Sequence, residues 1–144
     1  MRFMLIVKAT EETEAGKPPS AELANAMMRY NEELAKAGVL VAAEGLQPTS
    51  GAVRITYPEP GGKPKVIDGP FTETKELIAG FTLIDVKSRE EAIEWALRMP
   101  DPYGDGTGAI ELRQVFEAPE IFEDSELVAK EELLRETVTR RKNP

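Results

Sequence analysis

The chain has 144 residues, 41% of them hydrophobic, which suits one globular domain with a single core. Its 26 acidic residues against 18 basic ones give a formal charge of −8, which disfavours nucleic-acid backbones and anionic membrane surfaces as partners. With no cysteine and no histidine, it cannot form disulfides, run serine–histidine hydrolysis or hold zinc by imidazole or thiolate; only oxygen-ligated Mg²⁺ or Ca²⁺ stays open, and no cofactor is expected.

The opening run Phe3 to Val7, closed by Lys8, reads as a strand that is apolar on both faces. It is too short for a signal peptide, and no segment has the length of a membrane span, so a soluble cytoplasmic protein is expected. Ala9 to Pro19 reads as a loop. Ser20 is a fair N-cap for a helix to about Ala37, with Leu23, Met27, Tyr30 and Leu34 as its buried stripe and Gly38 as its stop. Val39 to Glu44 is the second strand. Ala52 to Tyr57 and Lys65 to Ile67 read as a hairpin around a proline- and glycine-rich loop.

After the turn at residues 68–76, Leu77 to Val86 is the longest strand candidate, apolar on both faces. Ser88 and Glu91 match a capping box, and the helix they open is expected to bury Ala92, Ile93, Ala96 and Leu97 before Pro100. Asp101 to Gly108 is a glycine-rich loop. Ala109 to Phe116 is the last strand, with Ile110, Leu112 and Phe116 on one face and Glu111 and Arg113 on the other. From Ser125 to about Arg140 the tail has helical character, with a narrow stripe of Leu127, Leu134 and Val138 expected to pack on a neighbour.

Without the hairpin the order is βαββαβ, an α+β arrangement of ferredoxin-like type. Two helices cover one sheet face, and the simplest cover for the other apolar face is a second copy of the chain, a homodimer.

Residues 68–76 carry the most distinctive string. Asp68, Gly69 and Pro70 build a tight turn, Phe71 offers a large apolar face, and Glu73, Lys75 and Glu76 add charge. Asp68-Gly69-Pro70-Phe71 resembles the signature of the DGPF group of the YCII-related family. The likeness extends through Phe81-Thr82-Leu83-Ile84-Asp85-Val86, Glu91-Ala92-Ile93-Glu94-Trp95-Ala96 and Ile110-Glu111-Leu112-Arg113. The resemblance implies a dimeric α/β-barrel of two ferredoxin-like sheets, with a domain over residues 1–118 and a helical extension over 119–144. It also implies small-molecule binding, with lyase-like chemistry as the nearest reaction class. DGPF relatives encoded beside alternative sigma factors suggest instead a non-catalytic regulatory or interaction role.

The candidate ligand-binding residues are Asp68, Lys75, Glu111 and Arg113, with Asp68 also the candidate proton carrier. Each has a structural alternative. Asp68 can simply cap its turn, Lys75 can belong to a solvated strand end, and Glu111 with Arg113 can form an interface ion pair. Trp95 and Tyr30 are expected to be packing residues. The segment Asp101 to Gly106 fails as a calcium loop at Tyr103 and Leu112. Asp101-Pro102-Tyr103 resembles an Asp-Pro-aromatic motif of shorter YCII relatives, whose aspartate works with a histidine on the first helix. Met27 stands near that helix position here, so the dyad cannot form.

Overall fold

The apolar run at the start forms strand β1, Arg2–Lys8, and a sheet is built outward from both its edges. On one side lies β5, Ile78–Asp85, and on the other β6, Ile110–Gln114, both antiparallel to it. β2, Leu40–Gly45, pairs antiparallel with β5, giving the order β2-β5-β1-β6. The computed structural model describes residues 1–143, which divide into a unit of Met1–Gln114 and a second beginning at Val115.

Alternation along β1 decides which residues become core. Phe3 and Leu5 point to the face covered by α2, Ala21–Lys36, and α3, Arg89–Arg98. There they meet Tyr30 and Leu34 of α2, Ile84 of β5 and Ala92 of α3, all buried. Each such side chain contributes roughly 1.5–3 kcal/mol through burial. The helices are also tied to each other. Tyr30 Oη donates to the Trp95 carbonyl at 2.6 Å, and the Arg98 guanidinium lies 2.6 Å from Glu33. Met4 and Ile6 point to the opposite face, beside Leu83 and Phe81 of β5, and stay half-buried.

The helix ends follow local chemistry. The Ser20 hydroxyl accepts from the Leu23 amide at 3.2 Å, and Gly38, at φ +73°, ends the helix as expected. Ser88 accepts from the Glu91 amide at 3.1 Å, but the Glu91 carboxylate takes the Lys87 amide instead of closing the expected box. Leu97 is 81% exposed rather than buried, because the core-facing stripe of α3 runs through Ala92, Trp95 and Ala96 to Met99, and Leu97 lies well round the helix from it.

Three other expectations change. The loop before Ser20 contains a short helix, α1, Glu11–Glu14, started by a reciprocal Thr10–Thr13 cap that β1 and α2 leave room for. Phe116 lies beyond β6 and is exposed, so it shares no face with Ile110 and Leu112. The hairpin strands β3, Val53–Thr56, and β4, Lys65–Asp68, form a two-stranded sheet of their own.

The second unit holds α4, Ala118–Ile121, and α5, Ser125–Lys142. Asp124 caps α5 by accepting from the Glu126 amide at 2.8 Å, and Glu131–Arg135 and Glu136–Arg140 pair along it. Leu127, Leu134 and Val138 are exposed. Among the described residues no helix is long and apolar enough to cross a membrane.

Candidate functional site

The stripe of α2 that starts at Ser20 does more than fill the core. Tyr30 and Leu34 are buried, whereas Leu23 and Met27 stand over the end of the sheet and leave a cavity of about 510 Å³. Asn31 continues that stripe one turn beyond Met27. Val7, Ala43 and Thr82 form the sheet side, the segment from Glu12 to Pro19 a third wall, and Pro102 with Tyr103 a fourth. The volume falls in the ordinary range for small-molecule sites, and the walls are mostly apolar.

Its polar groups are few. Lys17 and Glu12 pair at 3.4 Å, both well exposed. The Tyr103 hydroxyl donates to the Lys8 carbonyl, and burial raises its pKa above the usual phenol value, opposed by a hydrogen bond with Thr13. Thr82 is buried, and the Asn31 side-chain oxygen is buried without a partner.

Asp101 positions the wall but does not line the cavity. Its carboxylate accepts from the Tyr103 amide at 3.1 Å and the Gly106 amide at 2.9 Å. Those backbone bonds hold its carboxyl below the usual carboxylate range, so it stays ionised and occupied. The Asp-Pro-aromatic segment and Met27 do meet at this cavity, as Pro102, Tyr103 and Met27.

The four residues singled out from the sequence lie elsewhere. Asp68 ends β4 opposite Val53, exposed, and among the described residues no hydrogen bond reaches its carboxylate. Lys75 sits in a 3₁₀ turn, Thr74–Glu76, also exposed. Glu111 and Arg113 share the face of β6 that points away from α2 and α3, as their spacing requires. They do not pair with each other. Glu111 lies 3.7 Å from the Lys8 ammonium instead. None of the four lines the cavity. Among the described residues, no three carboxylates gather as metal ligands would.

The signature turn acts on the cavity indirectly. Gly69 donates to the Ala52 carbonyl at 2.8 Å, and Phe71 donates to the Thr49 hydroxyl at 3.0 Å. The Gly69–Pro70 bond is cis. A Cβ on Gly69 would stand 1.8 Å from the Thr49 carbonyl oxygen, so only glycine fits. The Thr49 amide and hydroxyl both donate to the carboxylate of Glu14, in α1. The Arg54 guanidinium covers the Phe71 ring at 4.0 Å. The turn therefore anchors α1, whose Glu12 and Thr13 belong to the cavity wall.

Sequence reasoning missed Asn31 and Thr82 as cavity residues and reached Tyr103 only through the Asp-Pro-aromatic resemblance. The signal that existed was a polar residue at Asn31, four positions after Met27 on the same helical stripe.

A family model for the YCII-related domain matches residues 1–119 of the chain. An uncharacterized protein of Rhizobium meliloti (strain 1021) is 38% identical over 78 residues, covering 54% of this chain. That match spans 60% of the relative's length. Among solved structures, the chain is similar to the 5-chloro-2-hydroxyhydroquinone dehydrochlorinase of Burkholderia phenoliruptrix AC1100, solved in complex with 2,5-dihydroxybenzoquinone. There the TM-score is 0.46 and the identity 13%, over 83% of this chain and 98% of that one.

Proposed function

The chain belongs to the YCII-related family, and from the cavity beside α2 we propose that it binds a small, largely apolar organic molecule there. The observation that carries this reading is the cavity itself: about 510 Å³, apolar on most sides, with a few polar groups inside. A filled interior would have been expected if the stripe of α2 served packing alone.

Binding is favoured over proton-transfer chemistry by what the lining residues are already doing. The Tyr103 hydroxyl already donates its hydrogen bond to the Lys8 carbonyl, Glu12 is paired with Lys17, and the chain has no histidine. A lyase-like step run by carboxylates would have to draw on Glu44, the remaining carboxylate of the lining. Ligand contacts are assigned to the cavity wall rather than to Asp68, Lys75, Glu111 or Arg113.

The first unit is further proposed to be a ferredoxin-like half of a dimeric α/β-barrel. The strand order β2-β5-β1-β6 supports this, as do Met4, Ile6, Phe81 and Leu83 on the face that α2 and α3 leave.

A fragment screen by thermal shift, followed by a crystal structure with the strongest hit, tests the binding role. Density in the cavity, together with loss of the shift in Ala24→Trp, is the expected result. A screen without hits, or hits indifferent to that substitution, would overturn the reading.

A further inference from the structure

Two polar side chains that line the cavity have no hydrogen-bond partner among the described residues, one on α2 and one on β5. The Oδ1 of Asn31, on α2, is buried and makes no hydrogen bond. Thr82, on β5, also lines the cavity and is 4% exposed as a residue, but of the two only the Asn31 oxygen is fully buried without a partner. Buried acceptors and hydroxyls are nearly always satisfied, because an unsatisfied one forfeits its hydrogen bonds to water with nothing in return. Among the described residues, nothing bonds to the Asn31 oxygen.

The charged residues of the lining narrow the partner further. Glu12, Glu44 and Lys17 are the charged residues that line the cavity, and Lys17 is paired with Glu12 at 3.4 Å. The surplus is negative, which repels an anion. A cation would have to leave water for an apolar interior without a buried carboxylate to meet it.

Resting on the cavity as a ligand site, we infer that its ligand class is an uncharged molecule bearing a hydroxyl or amide group, anchored between Asn31 and Thr82. The hydroxyl or amide donates to the Asn31 oxygen and exchanges a second hydrogen bond with the Thr82 hydroxyl. Rotation about the Asn31 Cβ–Cγ bond, which is torsionally soft, turns the carboxamide toward the ligand. The apolar remainder of the ligand occupies the space against Leu23, Met27 and Val7.

Three probes of one shape test this on the full chain at neutral pH: 2-naphthol, 2-methoxynaphthalene and 2-naphthoate. The first donates a hydrogen bond, the second cannot, and the third is an anion. Titration calorimetry should show 2-naphthol binding about tenfold tighter than either of the others, the usual consequence of one satisfied buried hydrogen bond. Asn31→Leu should erase that preference while raising the thermal midpoint, since it removes an unpartnered buried acceptor. Thr82→Val, which preserves shape, should reduce the preference independently, and it decides the matter if Asn31→Leu does not fold. Equal affinity for all three probes, or a preference that survives both substitutions, would overturn the inference while leaving the cavity as a binding site. No binding of any probe, together with a fragment screen without hits, would overturn both.

Discussion

The Phe71 amide donates to Thr49 Oγ1 across 3.0 Å, and Thr49 in turn donates to Glu14. Through this threonine the signature turn reaches the short helix whose Glu12 and Thr13 line the cavity. None of the residues of the most distinctive string lines the cavity itself.

Thr49→Val should test this connection. It keeps the side-chain shape but leaves the Phe71 amide and the Glu14 carboxylate without their shared hydroxyl. A loss of about 1–3 kcal/mol in denaturant unfolding is expected, as for a broken part-buried hydrogen-bond pair. Thr49→Ser, which retains the hydroxyl, should recover most of it. Equal stability of the two variants would show that the network is dispensable.

Gly69→Ala and Asp68→Asn test neighbouring positions with opposite expectations. The added methyl meets the Thr49 carbonyl oxygen at 1.8 Å, so backbone must shift, at a cost of roughly 1–3 kcal/mol or more. Asp68 is exposed and accepts no hydrogen bond from the other described residues, so its asparagine variant should lie within about 0.5 kcal/mol of the parent. Lys75→Met should be similarly mild, and neither exposed change should alter binding in the cavity. Weakened binding in Asp68→Asn or Lys75→Met would move the ligand toward the signature.

Alkaline pH should find Tyr30. Burial raises its pKa from 10.0 to about 12, helped by Glu33 and opposed by Arg98. The folded protein thus holds the phenolic proton more tightly than the unfolded chain. Its contribution is complete below pH 10 and is lost as the pH rises from about 10 to 12. Tyr30→Phe should flatten the fall in stability across that window while costing about 1 kcal/mol at neutral pH, from the lost bond to the Trp95 carbonyl. Parallel stability–pH curves for the two proteins would contradict this assignment.

The proposed dimer depends on the sheet face that carries Met4, Ile6, Phe81 and Leu83. Sedimentation at micromolar concentration should find a dimer, and Ile6→Asp should convert it to monomer by placing a charge in an apolar interface. A wild-type monomer throughout that range would remove the barrel proposal.

Much of the local architecture was legible from residue order, because it depends on neighbours a few positions apart. Phe3 to Val7 had to be a strand with two apolar faces, and Ser20 and Gly38 had to bracket a helix, since caps and periodicity act within a turn or two. The absence of histidine and cysteine by itself closes imidazole and thiolate chemistry. The Asp68-Gly69-Pro70-Phe71 string pointed to the family to which the chain belongs.

What the sequence could not show was which groups would be left without partners. Leu23 and Met27 carry the same periodic signal as Tyr30 and Leu34, yet two of these residues line a cavity and two are core. The difference depends on where β2 and β5 end beneath the helix. Leu97 reads with Ile93 as part of the buried face of its helix, but the stripe that meets the core runs through Ala92, Trp95, Ala96 and Met99 and leaves Leu97 exposed. Asn31 and Thr82 look unremarkable in the sequence, since each is a common residue in an ordinary element. Only the packing of α2 on the sheet buries the Asn31 oxygen and brings Asn31 and Thr82 to the lining of one cavity. Their hydrogen-bonding need is a property of tertiary burial, and burial is what a linear sequence does not record.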